Sequence, residues 1–508
     1  MDYDFQEENR PLFSLFTICY RKELAMNLID AYRQYNDLNI YPYHMPGHKR
    51  NTELCQMDYP YSIDYTEIDG LDDLREAQAH PGRNSLLDAA MQRASRMFGS
   101  KYSFYLVGGS TSGLICSILA CTKRGDRVLI PRNCHKSVYN ALALASLHPV
   151  YIYPSVDEQI GIYANLRPED IERALSEYPD IKLVVTVSPT FYGVVSDIAE
   201  IAEVCHAHGV PLMVDEAHGP HLGLSPYFPD SAVHQGADIV VQSLHKTLPV
   251  LTQTSVLHVC SDRVDHEAVS RTIAIIESSS PSFVLVASAD QCMDLLEKRG
   301  PELFEIYDQR LHQFSEDMRA LRHLTVMCNG KDKLDAHPNI YRYDHGKILI
   351  STRGTNMTGA QLYHLLLDKY RLQMEMCLAD MVLAMTSIAD TQEGFDRLTQ
   401  ALLEIDQTLE DGKPGERFKL KQHTFEVSPL SPDEAYALPG EFVKPEDAIG
   451  RIAREFVYAY PPGIPYFVPG EIIDKNTMET ILHMESSDIR LISTRHKYPE
   501  LIEVCVIK

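Results

Sequence analysis

The stretch ADIVVQSLHKTL, Ala237 to Leu248, reads as a short apolar strand that ends on a hydroxyl, an imidazole and a primary amine: Ser243, His245 and Lys246. Continuous apolarity over so few residues is the habit of a strand buried on both faces, as in a parallel sheet. Outward from it the same alternation repeats. SFYLV, GGSTSGLICSILACT, DRVLIP, PEDIERALSEY, KLVVTVSP, IAEIAEVCHAHG and PLMVD exchange strand and helix patterns between about residues 85 and 259. The run opens with SLLDAAMQRASRMFG, where Leu87, Met91, Ala94 and Phe98 form one helical stripe. Strand and helix in turn predict an α/β fold with a mostly parallel central sheet covered on both faces. Ligands of such sheets bind beyond the carboxyl ends of the strands, and Ser243 to Lys246 lie at that address.

The whole chain has 508 residues, which implies two or three domains. An N-terminal arm is expected over residues 1–80, a large domain over 81–304, a small α+β domain over 305–410 and a C-terminal domain over 418–508. The linker before the last is DGKPGER, Asp411 to Arg417. No apolar run approaches the roughly 18 residues of a membrane span, and the acidic start MDYDFQEENR has no signal-peptide pattern, so a cytoplasmic protein is expected. The net charge of −24 disfavours nucleic acid and anionic lipid as partners and is compatible with a cationic small substrate. Eleven cysteines without a CxxC pair or a Cys/His cluster point away from disulfides and structural metal.

A lysine at the mouth of a buried strand is either a surface residue or an amine desolvated for Schiff-base chemistry. Asp215, at the end of PLMVD, sits one helix-plus-strand unit earlier. An aspartate there is either a helix cap or a partner for a cofactor. Pyridoxal phosphate needs both groups, a lysine for its aldehyde and a carboxylate for its pyridine nitrogen. VGGSTSGLICSI offers a phosphate cradle: two glycines, Ser110 and Thr111, then a helix whose first N–H groups point outward. It has neither the lysine of a P-loop nor a full GxGxxG, which argues against a nucleotide. Ser243 and His245 can add donors, and His135 in PRNCHKSV follows a strand and could cover the ring.

These segments resemble the Orn/Lys/Arg decarboxylase family, pyridoxal-phosphate enzymes of the aspartate-aminotransferase (type I) fold. YHMPGHK and DYTEIDGLDDL resemble its N-terminal segment; GGSTSG, RNCHKS, SPTFYG, VDEAHG and QSLHKTL resemble its cofactor site. SSSPSF resembles its TSPSY segment and YPPGIPYFVPGE, Tyr460 to Glu471, its C-terminal signature. The resemblance implies that Lys246 carries the cofactor, Asp215 pairs with the pyridine nitrogen, His135 stacks on the ring and His218 lies beside it. It also implies that Ser110, Thr111, Ser243 and His245 hold the phosphate. Ser279 or Ser280 would reach a neighbouring subunit's phosphate in a homodimer with shared sites. The family's STHK reads Ser-Leu-His-Lys here, and Ser279 and Phe283 replace Thr and Tyr of TSPSY, with loss of one hydroxyl. The chain is expected to begin almost directly at the arm, without the response-regulator-like domain of longer members, which weakens the expectation of the large rings that those form.

The expected reaction is decarboxylation of a basic amino acid, arginine or lysine before ornithine, with Lys246 or His245 returning a proton to Cα. Glu471 is the candidate for shaping the substrate's distal end, against a plain surface acid after a Pro-Gly turn. The same cofactor residues would also serve transamination or aldol cleavage, and a silent partner-binding relative could keep the fold. The C-terminal signature and the PGHK arm favour decarboxylation.

Overall fold

The computed structural model describes residues 37–55, 86–327, 337–378, 380–412, 420–459, 463–486 and 491–507. DYTEIDGLDDL, most of the linker DGKPGER, and Tyr460 to Pro462 of the C-terminal signature lie outside them.

The strand Ile239–Gln242 sits deep in an eight-stranded sheet. From one edge the order is Thr424–Val427, His148–Tyr153, Arg127–Pro131, Ile181–Val187, Leu212–Asp215, Ile239–Gln242, Ser255–Val259 and Tyr102–Leu106. Contiguous parallel pairing runs from His148–Tyr153 through to Ile239–Gln242. Ser255–Val259 is antiparallel to both of its neighbours, which leaves Tyr102–Leu106 parallel to the main set.

Burial on both faces explains the continuous apolarity. Ile239 and Val241 pack with the helices Gly109–Cys121 and Lys136–Ala145, whereas Val240 packs with Pro168–Glu177 and Ile198–Ala207. Each of these three side chains is fully buried, worth about 2 kcal/mol apiece in area removed from water.

A 35-residue helix, Phe283–Asp317, runs through the boundary expected at 304/305, so the large and small domains share one element. Beyond it lies an antiparallel sheet in the order Thr325–Met327, Lys347–Ser351, Met381–Met385, Met376–Leu378, backed by the helices Gly359–Asp368 and Gln392–Asp406. The arm strand Tyr41–Tyr43 joins this part by parallel pairing with Leu372–Met374. The C-terminal segment has its own small core around Phe467, Met478 and Ile502. Its first strand, Thr424–Val427, crosses over to edge the large sheet, so the segment from 418 is anchored on its neighbour. Among the described residues no helix is long and apolar enough to cross a membrane.

Candidate active site

Parallel register sets Val241 opposite Asp215, so the aspartate and lysine strands end side by side at their carboxyl ends. The chain then turns through Leu244–Thr247, which places Lys246 just beyond the carboxyl end of its strand. Its Nζ lies 3.0 Å from Nε2 of His218, in the loop that follows Asp215. Burial lowers the ammonium's stability at Lys246, opposed by the Asp215 and Glu375 carboxylates. Asp215 is itself buried, which raises its carboxyl above the ordinary value against the pull of Lys246; its Oδ1 accepts the Ala217 N–H at 3.1 Å. A cationic nitrogen beside it would restore the charged form.

His135 caps the helix Lys136–Ala145, its Nδ1 accepting the Ser137 N–H at 3.3 Å. The Ser137 hydroxyl donates to Thr111 Oγ1 at 3.2 Å, which ties His135 to the start of the glycine-loop helix. Burial and the nearby Lys246 push His135 down to about 3, so its imidazole is neutral. His218 is held neutral by burial, Lys246 and Lys347, and Phe191 packs edge-on against its ring at 5.1 Å.

The glycine loop suits an anion. Ser110 and Ser243 bring their buried hydroxyls within 2.7 Å across the sheet end. The helix Gly109–Cys121 has no side-chain cap at Gly108, leaving its first N–H groups for a ligand. A carboxylate already takes part of this field: Glu277 accepts the Val107 and Gly108 N–H groups at 3.1 Å, together with the Ser112 hydroxyl. A Cβ at Gly108 would fall 2.6 Å from Glu277 Oε1 and 2.9 Å from Ser112 Cβ, so a side chain there would push the Glu277 carboxylate off this loop. These donors fit a phosphate, and with Lys246 and Asp215 they fit pyridoxal phosphate. His245 fits less simply, because its Nδ1 faces the Thr254 carbonyl at 2.8 Å and must carry the proton. Neutral His245, pushed down to about 4 by burial, then offers Nε2 only as an acceptor. It can donate to a phosphate only where the anion's charge restores its second proton.

Two expected groups lie apart from this cluster. Ser279 and Ser280 are exposed on the turn before the long helix, where the Ser280 N–H donates to Ser278 Oγ at 3.2 Å. Glu471 is neither a surface acid nor free for a substrate cation. Arg132 Nε pairs with its Oε1 at 2.9 Å, while Arg132 Nη2 and the Val468 N–H donate to Oε2 at 3.2 and 3.1 Å.

The residue that sequence reading missed is Lys347. It opens the strand KILIS, is 1% exposed, and its Nζ lies 3.0 Å from His218 Nδ1. A charged residue directly before a continuous apolar run was the only signal. The PGHK arm was recognised but its work was not: the Gly47 N–H donates to the His245 carbonyl at 2.7 Å, and buried Lys49 donates to the Pro42, His44 and Met385 carbonyls.

The chain matches the model of the Orn/Lys/Arg decarboxylase major domain over residues 27–364 and that of the family's C-terminal domain over 414–490. It belongs to the Orn/Lys/Arg decarboxylase family. Among curated relatives of this decarboxylase is an arginine decarboxylase of Bacillus anthracis, 30% identical over 89% of this chain and 92% of the relative. In fold it is similar to the constitutive lysine decarboxylase of E. coli, with a TM-score of 0.70 at 18% identity, over 97% of this chain and 81% of that one. A ureidoglycine–glyoxylate aminotransferase from Bacillus subtilis shares the fold more distantly, with a TM-score of 0.52 at 14% identity, over 77% and 97% of the two chains. The fold is thus the aspartate-aminotransferase-like (type I) fold.

Proposed function

We propose that this decarboxylase removes the α-carboxylate of arginine, with pyridoxal phosphate carried on Lys246. The observation that carries the reading is one arrangement: a part-buried amine, a buried carboxylate on the adjacent parallel strand and a hydroxyl-lined helix N-terminus meet at the carboxyl ends of the central strands. Arginine is preferred to lysine and ornithine because the 30%-identical relative that matches most of this chain bears that name.

Bound here, the cofactor supplies an aldehyde that links to amines and a pyridinium that accepts the electrons of the broken Cα–carboxylate bond. The chain supplies the rest. Asp215 holds a proton at the ring nitrogen, which its burial makes a strong pairing. His135 would cover the ring with a neutral imidazole that does not compete for that proton. Ser110, Thr111, Ser243 and the helix N-terminus hold the phosphate. Lys246, once its amine is free, can return a proton to Cα, and His218 at 3.0 Å orients it.

The test is CO2 release from arginine, lysine and ornithine with and without added pyridoxal phosphate. Arginine should lead in kcat/KM by at least about tenfold. A preference for lysine or ornithine would overturn the substrate, and no release from any of the three would overturn the reaction.

A further inference from the structure

His218 stands between two lysines. Its Nε2 is 3.0 Å from Lys246 Nζ and its Nδ1 is 3.0 Å from Lys347 Nζ. A neutral imidazole has one N–H and one lone pair. It can therefore accept from one ammonium only, and its own N–H must find a lone pair on the other amine. While both contacts hold, the line Lys246–His218–Lys347 has room for one ammonium at most and never for two.

We propose that Lys347 is a positioning residue that takes the single ammonium this line can hold, fixes His218 with its proton on Nε2, and so keeps Lys246 an uncharged amine when it attacks the cofactor. The proton that Lys246 returns to Cα is one it takes up after the substrate has displaced it. The inference rests on the reading of Lys246 as the cofactor's lysine. An amine must lose its proton before it can attack an aldehyde, so the device would act on cofactor capture and on each return of the lysine to the cofactor.

The surroundings favour the cation at position 347. Asp344, three residues earlier, is held below the usual carboxylate range by His221, Lys347 and the Gly346 N–H in spite of its burial. Lys347 faces Asp344 and Glu375, which favour its charge, and Lys246 and Lys49, which oppose it. Burial outweighs the rest and brings it down to about 7. Lys246 faces Asp215 and Glu375. Burial raises the Asp215 carboxyl, whereas Asp344 is held ionised, which leaves Lys246 the poorer cation site. His218 also faces His135 and His245, both neutral, and the apolar ring of Phe191.

The experiment uses the full-length chain freed of cofactor. Brief acetic anhydride pulses across about pH 6 to 10 would give the midpoint at which Lys246 becomes reactive, read by peptide mass spectrometry. In Lys347→Met or Lys347→Leu, whichever keeps the native near-ultraviolet circular dichroism, Nε2 of His218 is free to accept from a Lys246 ammonium. The midpoint should rise by at least about one unit, and pyridoxal phosphate should link about tenfold more slowly below it. Lys347→Arg keeps a permanent cation and should show no rise. An unmoved midpoint in the apolar variant, or an equal rise in both, would overturn the proposal. If borohydride never fixes the cofactor to wild-type Lys246, the proposed function itself fails; if it does and the midpoint stays, only the role of Lys347 falls.

Discussion

The placement of Asp215 and Lys246 side by side was legible because the strand pattern sets both at the carboxyl ends of buried parallel strands. Lys347 was not, because its contact with His218 spans 129 positions and nothing local announces it. Glu471 shows the reverse case: its motif was recognised, but the partner that fills its carboxylate, Arg132, lies 339 residues away. The prediction at this scale concerns Asp215. Asp215→Ala should still bind the cofactor through Lys246 and the phosphate donors, yet kcat should fall at least about a thousandfold, roughly 4 kcal/mol of barrier. A kcat within about tenfold of wild type would make Asp215 only the cap of its loop.

Among elements, three short segments fasten the site in two parallel bridges. Lys246 and Thr247 of the lysine turn meet His218 and His221 of the loop after Asp215, and these meet Lys347 and Asp344 of the small domain. The strands and helices of the large sheet followed from their periodicity. The shared helix Phe283–Asp317 did not, because a helix that serves two cores shows no change of pattern where one core gives way to the next. The PGHK arm makes the sharpest steric claim. A Cβ at Gly47 would come within 2.7 Å of the Leu248 carbonyl oxygen and 2.8 Å of its nitrogen, and backbone cannot step aside as a side chain can. Gly47→Ala should therefore cost about 1–3 kcal/mol in urea unfolding and lower cofactor occupancy by shifting the lysine turn. Unchanged stability and occupancy would mean that the arm does not bear on the site.

Over the whole molecule, buried histidines set an acid limit. His258 lies fully buried between Ser103 and Gln242, and burial brings it from 6.5 to about 3. As pH falls below 6.5 the unfolded chain takes up this proton while the native chain does not, so stability is lost toward about 3. Glu216, raised to about 7 by burial, acts in the opposite direction between 4.5 and 7. The comparison of variants isolates the histidine. Stability of His258→Gln should fall less steeply than wild type between about pH 6 and 4, by up to about 1.4 kcal/mol per pH unit. Parallel profiles would contradict this.

Assembly belongs to the same scale. Ile275, 72% exposed, precedes the exposed serines 278–280. We propose an obligate homodimer whose interface exceeds roughly 2,000 Å², with Ser279 or Ser280 donating to the partner's phosphate. A Lys246→Ala chain mixed with an inactive Ser279→Ala/Ser280→Ala chain should regain one working site per heterodimer. Heterodimers that form without activity would rule out the shared site.

In the proposed function one amine, at Lys246, carries the cofactor. The protein is incubated with pyridoxal phosphate, reduced with borohydride, digested and weighed peptide by peptide. A stable pyridoxyl mass on Lys246, absent from a folded Lys246→Ala chain that releases no CO2 from arginine, is the expected result. A pyridoxyl mass on Lys347 or another lysine in place of Lys246, or undiminished CO2 release by Lys246→Ala, would contradict the account.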